Sequence, residues 1–217
     1  MDQAADKERI VQSFAELWWS DRSIFFGQTW LGIPTLQHPF DAWVTQEIIV
    51  ETHPERIVEA GAMCGGSATM WAMLLEHVVP DGRVVAIDRQ DNMERARTID
   101  VFRRRVDFVH GSTVAPAVVA RVGEMVAGYR TMVILDSAHD AVHVAAEIEA
   151  YAPMVSSGCY LIVQDGFVNG HPLEPDHGHG PFEAVQDFLA CDDRFEVDHA
   201  RERMLFTFNP SGFLRRR

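Results

Sequence analysis

Arg56-Ile-Val-Glu-Ala-Gly-Ala-Met-Cys-Gly-Gly-Ser67 decides how the rest of the chain is read. Ile57 and Val58 read as a short buried strand, Glu59 as an acid near its end, and Gly61, Gly65 and Gly66 as a glycine-rich turn. The apolar run Ala68 to Leu75 then suits a helix. A strand that feeds a glycine turn and a helix N-terminus lets a ligand lie against bare backbone, because no Cβ blocks its approach. A nucleotide-like molecule fits that cradle, with Glu59, Gly61, Gly65, Gly66 and Ser67 as its expected contacts. The spacing is not a clean G-x-G-x-x-G, and a plain strand-to-helix connection uses the same residues. The flanking sequence has to decide.

Downstream, Arg83 to Asp88, Val106 to Ser112, Thr131 to Asp136 and Cys159 to Asp165 read as further buried strands. A charged, mostly helical stretch from Arg89 to Phe102 and an amphipathic helix from Pro116 to Ala127 alternate with them, and another helix opens at Ser137-Ala-His139-Asp140. Such alternation predicts a parallel sheet with crossover helices. Asp88 follows the glycine turn at about the separation of a ribose-binding acid, somewhat late. The small turn Gly111-Ser112 suits contact with a purine ring. At the C-terminus Phe195 to Asp198 and Met204 to Phe208 read as two strands joined by a charged turn. The simplest geometry is an antiparallel hairpin on the edge of the parallel sheet. That arrangement is typical of class I S-adenosylmethionine-dependent methyltransferases and absent from the pure dinucleotide fold.

Composition sets limits. The chain of 217 residues suits one domain with an extension, and 47% hydrophobic content is enough for a full core. A formal charge of -13 argues against nucleic acid or an anionic membrane as partner. Cys64, Cys159 and Cys191 are far apart, which fits a reducing cytoplasm better than a disulfide framework. The polar N-terminus lacks the apolar stretch of a signal peptide, and no apolar run is long enough to span a bilayer. The basic end Arg215-Arg216-Arg217 reads as a solvated tail.

Residues 1–52 read as an N-terminal helical and aromatic extension, a lid or oligomer contact, and 53–217 as the cofactor-binding domain. Asp2 to Trp19 has Ile10, Phe14, Leu17 and Trp18 at helical spacing, with Lys7, Glu8, Arg9 and Gln12 outside. Trp18, Trp19, Phe25, Phe26 and Trp30 follow as an aromatic group. A second helix is predicted over Asp41 to Glu51, with Asp41 as a possible N-cap.

The chemistry gathers where strands end. Ligands of open α/β sheets sit outside the carboxyl ends of the strands, and five strands here end in Glu59, Asp88, His110, Asp136 and Asp165. Asp136 and Asp165 terminate what should be neighbouring strands. Like charges that close repel unless a cation lies between them, and a hard oxygen-liganded ion, Mg²⁺, is the economical answer. Gln164 stands next to the second acid and offers a carbonyl oxygen. His139, three residues after Asp136, is placed to take a proton from a hydroxyl held at such a metal. His171, His177 and His179 lie in a long loop, Gly166 to Gly180, whose prolines and glycines suit a flap better than a zinc site.

Several of these segments together resemble the cephalosporin hydroxylase / rhamnosyl O-methyltransferase family. They are Trp30-Leu-Gly-Ile-Pro-Thr-Leu-Gln-His-Pro-Phe-Asp41, Ile57-Val-Glu-Ala-Gly61 with Gly65-Gly-Ser67, Leu135-Asp-Ser-Ala-His139, Tyr160-Leu-Ile-Val-Gln-Asp165, Gly180-Pro-Phe-Glu-Ala-Val185 and Met204-Leu-Phe-Thr-Phe-Asn-Pro-Ser-Gly-Phe-Leu-Arg215. The resemblance runs from about Trp30 to the end. It implies a Rossmann-like class I methyltransferase fold, a mostly parallel seven-stranded sheet with a C-terminal antiparallel hairpin. It also implies S-adenosylmethionine, a Mg²⁺ site on Asp136 and Asp165 with Gln164 beside them, His139 as base, and a homo-oligomer. The implied activity is O-methylation of a natural-product hydroxyl, often on a sugar or glycoside. Family members carry an acid immediately before the second metal carboxylate, and Gln164 departs from that. Two other readings stay open: a nicotinamide-dependent oxidoreductase on the same sheet, and a non-catalytic partner of another tailoring enzyme.

Overall fold

The computed structural model describes residues 3–217. The expected helix start at Asp2 lies outside the described residues. From Gln3 the chain forms α1 (Gln3–Ser20) and α2 (Arg22–Phe26), then a small antiparallel pair, β1 (Thr29–Trp30) with β2 (Ile33–Pro34), then α3 (Pro39–Thr52). The alternating part follows as β3 (Arg56–Ala60), α4 (Gly66–Val78), β4 (Arg83–Asp88), α5 (Asp100–Arg105), β5 (Val106–His110), α6 (Pro116–Val126), β6 (Thr131–Leu135), α7 (Ala141–Tyr151), β7 (Tyr160–Val163) and α8 (Pro181–Cys191). Two last strands, β8 (Phe195–Val197) and β9 (Phe213–Arg216), complete it. None of the described helices is long and apolar enough to cross a membrane.

The sheet has seven strands in the order β5-β4-β3-β6-β7-β9-β8. The first five run parallel; β9 pairs antiparallel with both β7 and β8. Every residue of β3, β6 and β7 is buried, as expected of strands covered by helices on both faces. β3 lies at the centre because Arg56 to Ala60 is in register with β4 on one side and β6 on the other. The order reverses beside β3, so the carboxyl ends of β3, β4 and β6 open a crevice there.

The C-terminal pairing differs from the expectation in one strand. β8 forms as predicted, but its partner is Phe213–Arg216, and Met204 to Phe208 stays irregular. The buried acid Asp41 explains this: it accepts from the Thr207 hydroxyl at 2.6 Å and from the Phe208 N–H at 2.7 Å, so this backbone is satisfied by a side chain instead of a ladder. Phe206 and Phe208 then fill a second apolar cluster with Ala15, Phe25 and Phe167. The arginines read as a solvated tail therefore belong largely to a strand, with Arg215 and Arg216 inside β9. Asp41 also does not cap α3, whose N-cap position is His38.

Two helical expectations change as well. Arg89 to Phe102 is helical only from Asp100, after a short 3₁₀ turn at Ala96–Thr98. The Asp88 carboxylate takes the Gln90 N–H at 2.8 Å and Asp91 pairs with Arg97 at 2.8 Å, local bonds that compete with a helix start. On α1, Ile10, Phe14 and Leu17 are exposed, while Val11, Ala15, Trp18 and Trp19 face the second cluster. The aromatic pair outweighs the aliphatic stripe because Trp19 packs on Phe167 with centroids 4.8 Å apart, and Trp18 on Phe208 at 5.3 Å. Glu174 ties the long loop to this region, accepting from Trp19 Nε1 and from Arg22 at 3.2 Å.

The central approach of backbone to backbone is at Gly61, where φ is +94°. A Cβ there would lie 1.8 Å from the Asp136 carbonyl oxygen. Gly61→Ala is expected to lower stability by about 2 kcal/mol or more, read as a fall in thermal midpoint. An unchanged midpoint would show that the ends of β3 and β6 can part freely.

Candidate active site

The carboxyl ends of β3 to β7 surround a cavity of about 280 Å³. Gly61, Met63, Gly66 and Ser67 line it from the glycine turn, Asp88 from β4, and Ser112 and Thr113 from the loop after β5. Asp136, His139 and Asp165 line the other end. The turn is held open by its own backbone N–H groups: Gly61 and Ala62 donate to the Ile87 carbonyl at 2.9 and 3.1 Å, and Met63 N–H donates to Asp88 Oδ2 at 2.8 Å. Gly66 has its own reason to be glycine, since a Cβ there would strike Thr35 Oγ1 at 1.9 Å. Gly65 and Gly111 do not line the cavity. A Cβ at Gly65 would meet the Phe102 ring at 2.9 Å, and one at Gly111 would meet Val118 at 2.6 Å.

Glu59 does not reach the cavity, contrary to its expected contact with the ligand. It is 1% exposed and turns into the core, where Oε1 accepts from Trp71 Nε1 at 2.8 Å. Ser67, which does line the cavity, lies beside the same carboxyl. The strand alternation explains this: β3 is buried on both faces, so its last side chains point into packed layers and only the backbone beyond Ala60 meets the crevice. Burial, against weaker help from Ser67 and Trp71, pushes the Glu59 carboxyl up to about 7.

Asp136, His139 and Asp165 converge. Each offers one ligand atom, and these atoms lie within 4.8 Å of one another, the one such group among the described residues. His139 Nε2 stands 3.4 Å from Asp165 Oδ2. Asp136 leaves the end of β6, where its N–H still bonds the Ala60 carbonyl at 2.8 Å. Asp165 sits just past β7 with φ +57°, a left-handed conformation that short polar side chains tolerate and that swings the chain out of the strand. Desolvation first and the Asp165 charge second hold the Asp136 carboxyl well above the usual range. Desolvation also raises Asp165, with His139 pulling it back. A site that makes two acids costly to ionise is one that a cation relieves.

Gln164 is placed differently from a free ligand. Its Nε2 donates to Gln37 Oε1 at 2.9 Å and its Oε1 accepts from Gln37 Nε2 at 2.8 Å, so both ends of the amide are spent. Gln37 Nε2 also donates to Asp136 Oδ2 at 2.9 Å. Gln37 lines the cavity; Gln164 does not. No local pattern pointed to Gln37, because it comes from the irregular segment before α3 and meets Asp136 and Gln164 across 99 and 127 positions. Thr113 and His143 also line the cavity and carried no signal. The loop histidines do not converge: His171 bonds Glu183 at 2.9 Å and stacks on Phe182, while His177 turns to the Gly178 carbonyl. Burial would raise Glu183, but bonds from the Gly180 N–H, Asn169 and His171 outweigh it and hold that carboxyl at about 2.

Comparison with known proteins agrees with this geometry. The family described as Rhamnosyl O-methyltransferase/CmcI matches residues 23–217. A rhamnosyl O-methyltransferase of Mycobacterium leprae (strain TN) is 33% identical over 218 residues, covering 96% of this chain and 93% of its own. A CmcI structure named for Mg and SAM superposes with a TM-score of 0.67 at 20% identity, over 92% of this chain and 83% of that one. The O-methyltransferase from Bacillus cereus in complex with SAH gives 0.58 at 16% identity, over 90% and 82%. At these identities the two structures share the fold, including the antiparallel C-terminal strands.

The buried Glu59 has a consequence for stability. Its carboxyl is raised, so between the ordinary glutamate value of 4.5 and about 7 the folded chain holds a proton that the unfolded chain has released. Stability therefore falls as pH rises through that window. Glu59→Gln keeps the shape and removes the charge. It is expected to raise the thermal midpoint at pH 8 and to flatten the pH dependence between pH 5 and 7, measured by calorimetry across that range.

Proposed function

The chain belongs to the rhamnosyl O-methyltransferase/CmcI family, and on that footing we propose that this S-adenosylmethionine-dependent O-methyltransferase acts on a sugar hydroxyl of a small glycoside, with Mg²⁺ at Asp136 and Asp165. The observation that carries the reading is the convergence of Asp136, His139 and Asp165 at one end of a cavity whose other end is a Cβ-free turn. Membership of a methyltransferase family takes the place of the nicotinamide-dependent alternative.

Both groups fit the residues present. For the donor, the positive φ at Gly61 and the backbone lining at Met63 and Gly66 leave room for close approach, and Ser67 and Asp88 offer polar partners. For the cation, Asp136 and Asp165 supply the hard oxygen atoms it prefers, with charge otherwise uncompensated. Gln164 contributes through Gln37, which steadies Asp136, more than as a ligand of its own. When bound, the cation supplies positive charge that makes an acceptor hydroxyl more acidic, and the donor supplies the methyl group.

The chain's residues then have separable tasks. Gly61 and Ser67 orient the amino-acid portion of the donor, and Glu59 is packed behind Ser67. Asp88 keeps both carboxylate oxygens on backbone N–H groups, which fixes it for a ribose diol. His139 takes the hydroxyl proton at a ring nitrogen. Alignment of two reactants in a partly closed crevice provides much of the acceleration.

The test is transfer of labelled methyl to a panel of rhamnosyl and related glycosides, run beside binding of S-adenosylhomocysteine. His139→Ala is expected to lower the rate about 10²–10⁴-fold while leaving product binding intact. Donor binding without transfer to any glycoside would overturn the sugar assignment. A second readout needs no turnover. Mg²⁺ should raise the thermal midpoint more at pH 8 than at pH 5, because the raised acids must lose their protons to bind it. Asp136→Asn should raise the metal-free midpoint at pH 8 and abolish the Mg²⁺ effect. A persisting Mg²⁺ shift in that variant would place the ion elsewhere.

A further inference from the structure

Glu183 lies in Gly180-Pro-Phe-Glu-Ala-Val185, a segment to which the transfer chemistry gives no task. Its carboxylate gathers three donors. Oε2 accepts from the Gly180 N–H at 2.7 Å, and Oε1 accepts from Asn169 Nδ2 at 2.8 Å and His171 Nε2 at 2.9 Å. A helix cap needs only the first bond, since Glu183 stands in the first turn of α8 and Gly180 is its N-cap. The other two reach back 14 and 12 residues, to the start of the long loop. Together they outweigh burial and keep the group ionised, so all three partners meet an acceptor.

The loop has two legs. One leaves Asp165 and runs to Asn169 and His171. The other returns through His179 and Gly180 and lies on the backbone around His139. There the Ala141 N–H donates to the His179 carbonyl at 3.1 Å, and a Cβ on Gly180 would sit 3.2 Å from the His139 carbonyl oxygen. Glu183 holds both legs on one carboxylate. It thereby sets the spacing between the chain that leaves Asp165 and the chain that carries His139, whose Nε2 and Oδ2 atoms stand 3.4 Å apart.

The imidazole depends on that support. Its side chain is 36% exposed, and among the described residues the ring forms no hydrogen bond within normal distance. Its aim therefore comes from the backbone beneath it. We propose that Glu183 is a positioning residue for His139, pinning the two legs of the loop so that the imidazole is held beside Asp165. The inference rests on the reading of His139 as the base and adds what keeps that base in place.

The experiment compares Glu183→Gln with the wild-type protein in two ways. The first needs no turnover. Hydrogen exchange of the Ala141 amide should become about tenfold faster. The His139 ring resonances should shift in the NMR spectrum, while those of His53, at the opposite end of β3, stay in place. The second is kinetic. With active molecules counted by S-adenosylhomocysteine binding, kcat should fall about tenfold or more and the KM for the donor should not change. In the His139→Ala background the same substitution should cost nothing further, because the group it positions is gone. An unchanged kcat, an equal loss in both backgrounds, or an Ala141 amide and His139 ring that do not respond would each overturn the proposal. Should Glu183→Gln fail to fold, Asn169→Ala removes one bond of the pin and is read in the same way. A transfer rate that His139→Ala leaves untouched would instead sink the reading of His139 as the base, and the exchange and resonance measurements would still decide whether Glu183 holds it in place.

Discussion

Where β3 and β6 end side by side, one backbone comes so close to the other that no side chain fits between them. Gly61 turns with φ +94° under the Asp136 carbonyl, and this contact brings the glycine turn against the residues that follow β6. The geometry of the crevice follows from it. Asp136 is directed outward at one side of the turn and Asp88 grips the Met63 N–H at the other. Two ligand-facing halves are thus joined by a few backbone atoms, and the hydrogen bonds from Gly61 and Ala62 to Ile87 hold β4 in the same arrangement. Hydrophobic burial in the layers on both faces of the sheet stabilises this contact, since residues of β3, β4 and β6 are almost entirely withdrawn from water.

Against that apolar background the acids stand out. Glu59, Asp136, Glu147 and Asp165 are all shifted upward, with desolvation the leading cause in each. They nonetheless divide into two kinds. Glu59 and Glu147 are withdrawn and serve neighbours, Trp71 in one case and Ser137 and His143 in the other. Asp136 and Asp165 face the cavity and repel each other. The withdrawn acids fix the orientation of side chains on the wall, whereas the facing pair leaves charge to be neutralised by what enters. The neutral Gln37–Gln164 pair fits this division, because it braces Asp136 without adding a third negative charge.

Much of the sheet was legible because its strands are short apolar runs ended by turn residues and acids, and crossover helices separate them. Asp136, His139 and Asp165 could be placed together from topology alone, since adjacent parallel strands bring their ends to one edge. Three things were not legible. The direction of a side chain at a strand end depends on a single residue of register, which is why Glu59 was expected in the cavity and lies behind it. The last strand was misplaced because Met204 to Phe208 alternates like a strand, while its backbone is claimed by Asp41, far away in sequence. Gln37, Thr113 and His143 belong to the cavity only through contacts between segments, and no local pattern encodes those.

The apolar interior is divided in two. The larger part surrounds the sheet, and the smaller joins α1, α2, the loop after β7 and the stretch before β9 around Phe167 and Phe208. Among the described residues the two share no side chain, and Glu174 clasps the smaller part from outside. Phe25 extends from that smaller part to the cavity wall. Inheritance can therefore treat the two parts unequally. Changes accumulating in the aromatic annex reshape one side of the opening while the strands beneath keep their register, so lineages can diverge in what they admit without having to reinvent the platform on which it is received.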